Sequence, residues 1–137
     1  MSKNISLENL LNKNFNEIKY KDLVSLTNLS DDESSIFFEY ISKFSLLEIL
    51  EIINKLVQIN QQELYLEYES IFKKFLSYPN DKIKISCIEG LIESEDRKLI
   101  KIFVETMLEG KSIELRSKAA KALVGFSVMA FEKKLII

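Results

Sequence analysis

The chain of 137 residues has no histidine and no tryptophan, one cysteine, one proline and three glycines. Without histidine, serine–histidine and cysteine–histidine nucleophile pairs are excluded. One cysteine and no histidine also exclude a zinc site of the usual ligand types. No glycine-rich phosphate loop and no calcium loop is written in the chain. Acidic pairs are plentiful, as on any helix surface, and none stands out as a general acid–base pair. Hence no catalytic, cofactor-binding or metal-ligating residue is assigned, and no enzyme activity is expected. So few breakers favour helices joined by short loops over many strands and turns. No window reaches the roughly 18 apolar residues of a membrane span. Met1 to Leu11 lacks the basic cluster and apolar run of a signal peptide. The single cysteine fits a reducing compartment. A cytoplasmic protein without membrane contact is expected.

The charge present is unevenly spread. The net charge is −2, with residues 1–96 at −7 and residues 97–137 at +5. Solvated helix faces of differing sign account for this, because no block of five like charges occurs. Read functionally, the asymmetry would place an acidic partner near the C-terminal third.

One short pattern is written twice, 32 residues apart. The first copy is Ile83-Lys84-x-x-Cys87-x-x-Gly90-Leu91, and the second is Leu115-Arg116-x-x-Ala119-x-x-Ala122-Leu123. Each follows an amphipathic stretch, Ile71 to Leu76 or Ile102 to Leu108. A period of this size marks stacked helical hairpins.

Helix starts are legible. Ser30-Asp31-Asp32-Glu33 and Ser45-Leu46-Leu47-Glu48 are capping boxes, in which serine and glutamate satisfy each other's backbone amides. Asn60, Asn80, Ser94 and Ser112 are further expected caps. Pro79 should end a helix, and Gly110 suits a left-handed position after one. These signals predict helices over 31–43, 45–58, 61–77, 81–92, 95–109 and 113–125. Leu64, Tyr68, Ile71, Phe72 and Phe75 recur at helical spacing, as do Leu46, Leu50, Ile53 and Val57. Shorter helical pieces are expected around Leu7–Leu11 and Tyr20–Leu26.

These residues resemble a HEAT repeat of the armadillo-like class. In that family the second helix of each hairpin opens with an aliphatic and a basic residue, then small residues and a leucine. Leu115 to Leu123 matches closely. Ile83 to Leu91 matches with Cys87 and Gly90 in alanine positions. The family usually places aspartate just ahead of this helix; here Asn80-Asp81 and Ser112 stand there. Aligning Leu56 with Leu91 puts Glu48 and Ile49 where Ile83 and Lys84 stand, so the first hairpin keeps the pattern without the motif. The resemblance covers 61–125 best, 31–60 less and 1–29 not at all. It implies an all-α, right-handed α-α superhelix of about three hairpins with a short N-terminal helical cap. The divisions would be a cap at 1–29, hairpins at 30–59, 60–93 and 94–126, and a further helix or C-terminal cap starting at 127–137.

The function implied is a non-catalytic scaffold that binds a protein through the groove of the helices at 45–58, 81–92 and 113–125. Lys84 and Arg116 should lie along one ridge, with Lys121 beyond, as a basic track or as structural partners of helix starts. Tyr65 and Tyr78, at the ends of an aromatic helix, are further partner-binding candidates. Phe72 and Phe75 are expected in the core, and Cys87 as a small hydrophobe between helices. Alternatives are nucleic-acid binding through the basic C-terminal third, a HEAT-like lyase handling bilin pigments, and self-assembly through the apolar C-terminal end. There Met129, Phe131, Leu135, Ile136 and Ile137 follow one another closely.

Overall fold

A computed structural model describes residues 4–136, with side chains described except at 129 and 131–136. Among the described residues there are eight α-helices and no strand. They are α1 (Ile5–Leu10), α2 (Tyr20–Val24), α3 (Asp31–Ile41), α4 (Leu46–Gln62), α5 (Glu69–Phe75), α6 (Asp81–Gly90), α7 (Lys98–Glu109) and α8 (Ile113–Ile136). A 3-10 turn at Phe15–Glu17 joins α1 to α2.

The capping signals set most of the starts. Ser30 Oγ accepts from the Glu33 amide at 3.1 Å, while Glu33 accepts from the Ser30 amide at 2.9 Å. Ser45 and Glu48 repeat the exchange at 3.2 and 3.0 Å. Asn80 caps α6 by accepting from the Ile83 amide, and Ser112 caps α8 by accepting from the Leu115 amide, each at 3.1 Å. Ser30→Ala and Ser45→Ala should each lower stability by about 1 kcal/mol in urea titration. No loss in either variant would show that the boxes do not hold these helix starts.

Four expectations fail, each for a local reason. Asn60 caps nothing. It lies inside α4, which runs on to Gln62, and its Nδ2 donates to the Leu66 carbonyl at 2.8 Å. That bond turns residues 63–68 into a loop, so the helix expected from 61 begins only at Glu69. A hairpin boundary at 59/60 therefore falls within a helix. Second, α7 begins at Lys98, because Asp96 accepts from the Lys98 amide and from Lys73 Nζ at 2.6 Å, holding 94–97 as a turn. The Lys73 hydrogen bond also holds the Asp96 carboxyl below its ordinary range. Third, Gly110 is not left-handed: its φ is −58°. Glycine is needed there for close approach, since a Cβ would fall 2.6 Å from the Thr106 carbonyl oxygen. Fourth, no new helix starts at 127. α8 continues through Gly125 and Ser127 to Ile136, because one glycine costs a helix only about 1 kcal/mol. The apolar run at Met129, Phe131, Leu135, Ile136 and Ile137 lies outside the described side chains.

The helices pair in a simple order. α4 packs on α6 and α6 on α8, while α3 packs on α5. α5 also packs on α6, and α7 on α8. The core runs through Phe37, Ile53, Leu56, Phe72, Phe75, Ile83, Cys87 and Phe103, all fully buried. Phe72 sits against the α6 backbone, and a Cβ added to Gly90 would meet its ring at 2.5 Å.

Residues 4–29 are tied to α3 and to residues 67–70 by side-chain and backbone hydrogen bonds. Tyr40 Oη donates to the Lys13 carbonyl at 2.6 Å, and Tyr68 Oη donates to the Leu23 carbonyl at 2.9 Å. The Asn28 amide donates to the Glu67 carbonyl at 2.9 Å, from a backbone with φ of 60°. Asparagine tolerates that left-handed conformation better than most residues. The buried Ser34 hydroxyl donates to Ser70 Oγ, which donates on to the Leu29 carbonyl.

Candidate partner-binding face

α4, α6 and α8 form a row, and polar side chains join each helix to the next. Ser86 Oγ donates to Asn54 Oδ1 at 2.6 Å, linking α6 to α4. Lys118 Nζ meets Glu89 Oε2 at 3.0 Å, linking α8 to α6. The alignment of Leu56 with Leu91 and Leu123 relates these bonds. Under it Asn54, Glu89 and Lys121 occupy one repeat position, and Glu51, Ser86 and Lys118 another. Each bond thus joins the first position of one helix to the second position of the next. The two copies are the same contact with different chemistry: an amide with a hydroxyl, then a carboxylate with an ammonium. The repeat register contains this ladder, but no single residue pattern marks it.

The expected site residues are scattered. Lys84 lines a hollow of about 420 Å³ with Asp81, Glu105, Glu109 and Lys111. Arg116 does not line it; its guanidinium Nη1 donates at 2.8 Å to the carbonyl of Gly110, which does. That bond satisfies an oxygen just past the end of α7. The two basic residues come together around Gly110 within mixed charge, and one of them is committed to backbone. Lys121 is exposed further along α8. Tyr78 is half-buried, its ring centroid 6.0 Å from Phe75 and 6.2 Å from Phe38, so it belongs to an aromatic cluster. Tyr65 is 78% exposed on the 63–68 loop beside Leu64 at 82%. That loop lies at the other end of α6 from Lys84, beside a hollow of about 280 Å³ lined by Glu67, Glu69, Glu89 and Glu93.

Cys87 is fully buried in the row, and burial pushes its thiol well above the ordinary value. Among the described residues no cluster of three or more metal-ligating side chains occurs, and no helix is long and apolar enough to cross a membrane. No family model, curated protein or solved structure matches the chain.

Proposed function

We propose that the chain is a non-catalytic HEAT-like module, a right-handed superhelical stack of about three hairpins, which binds a protein partner along the α4–α6–α8 row. The observation that carries this reading is the repeating cross-helix ladder, since one contact made twice in register is what stacked repeats produce. The face so formed offers amide, hydroxyl, carboxylate and ammonium groups side by side. A surface of both signs suits a folded polar partner. A phosphate backbone would call for a track of one sign, and Glu89, Asp81 and Glu105 interrupt any such track.

The test places a photo-crosslinking residue at Asn54 or Ser86, with Lys101 on α7 as the control, in the source cell. A discrete protein adduct from positions 54 and 86, and none from 101, is the expected result. Adducts of equal yield from all three positions, or nucleic acid in place of protein, would overturn the reading.

A further inference from the structure

Among the described residues, the cross-helix ladder of α4, α6 and α8 has an unused position at each end. In α4 and α6 the first position, Asn54 or Glu89, reaches the following helix. Its equivalent in α8 is Lys121, which is exposed and makes no ion pair among the described residues. The neighbouring position tells the same story. Val57 is 7% exposed, yet its equivalent Val124 is 61% exposed. Val128, one turn further on the same face, is also exposed. At the other end, Glu51 is the α4 equivalent of Ser86 and Lys118, which receive the contact from the preceding helix. Glu51 is exposed and likewise makes no ion pair among the described residues. It lines a groove of about 390 Å³ between α4 and residues 15–23, with Phe15, Ile18, Tyr20 and Ile59 supplying apolar wall. The two unused positions carry opposite charge, and an apolar ridge at one end faces the requirements of an apolar groove at the other.

We infer that a second copy of this chain continues the row, with Lys121 of one molecule pairing with Glu51 of the next and Val124 and Val128 entering the groove beside residues 15–23. The groove is too small for a whole helix, whose diameter is roughly 10–12 Å, and admits side chains projecting from one. Lys55 and Lys19 also line it. Continuing the ladder register sets Lys55 opposite Gly125, where no side chain of like charge stands. An exposed ion pair adds little affinity by itself. Its role is to select register, since the wrong sign directly opposite is repelled. The contact is heterologous, so it propagates head to tail unless it closes into a ring. This inference concerns the ends of the row, and the crosslinking test at positions 54 and 86 concerns its face, so the two fail separately.

The experiment is a charge swap on the purified full chain, read by sedimentation velocity over a hundredfold range of concentration. Wild type should sediment as dimers and larger species as concentration rises. Lys121→Glu alone and Glu51→Lys alone should each weaken association at least tenfold while leaving the helical melting curve in place. Mixed one to one, the two variants present only opposite charges across each contact, and association should return to near the wild-type level. A wild-type chain that stays monomeric throughout would overturn the proposal. So would single variants that associate like wild type, or a mixture that associates no better than its components.

Discussion

Gly90→Ala should destabilise the protein by about 2 kcal/mol, against the usual sense of this substitution. Gly90 ends α6 with no positive φ, so helix propensity alone would favour alanine by about 1 kcal/mol. Packing opposes this. The new methyl would lie 2.5, 2.6 and 2.8 Å from three carbons of the Phe72 ring. Phe72 is fully buried and cannot swing into solvent. The conflict is specific to one neighbour, which makes the prediction a double-mutant cycle. Phe72→Leu should cost stability by itself, yet adding Gly90→Ala to it should be neutral or mildly stabilising. Urea denaturation of the four proteins measures this. If Gly90→Ala has the same effect beside Phe72 as beside leucine, the close approach of ring and backbone is not what requires glycine.

The second large effect concerns Tyr40 and Tyr68, whose phenol hydroxyls are among the groups that hold residues 4–29. Burial, with the Asp22 and Glu17 carboxylates nearby, pushes the Tyr40 phenol up to about 12. Burial chiefly pushes Tyr68 up to about 12 as well. In the unfolded chain both would ionise near 10. A group whose proton is held more tightly in the folded state contributes its full stability below the unfolded value and loses it as pH rises to the folded value. Stability should therefore fall between pH 10 and pH 12. Tyr40→Phe/Tyr68→Phe should lose roughly 2–4 kcal/mol at pH 7, because the Lys13 carbonyl loses its donor and the Leu23 carbonyl keeps only the Leu26 amide at 3.2 Å. The same variant should lose much less than wild type on going from pH 10 to 12. Parallel alkaline losses in the two proteins would mean that other groups control the transition.

The pattern of legibility follows from what each signal depends on. Ser30, Ser45, Asn80 and Ser112 act on amides three residues away, so local sequence suffices to place them. Residues 61–68 have helical composition, but their path is decided by Asn60 reaching the Leu66 carbonyl and by the Glu67 backbone pairing with Thr27 and Asn28, 40 and 39 residues away. Propensity cannot anticipate bonds of that range. The small residues of the repeated motif were legible as sites of close packing. Gly90 meets Phe72, and Ala119 and Ala122 are buried. Lys84 and Arg116 were legible as equivalent positions, and a backbone-bonding role for Arg116 is one of its two readings. The Arg116 side chain is oriented by the carbonyl of Gly110, an oxygen that no residue pattern displays.

Cys87 gives the molecule a chemical clock. It is the one thiol in the chain, and it lies at zero exposure in the row between α4 and α8. A thiol reagent cannot reach it until α6 separates from its neighbours. The modification rate at increasing reagent concentration thus passes from reporting the free energy of that opening to reporting its rate. No label need be introduced and no residue changed, because the reporter already stands where the stacked helices must part.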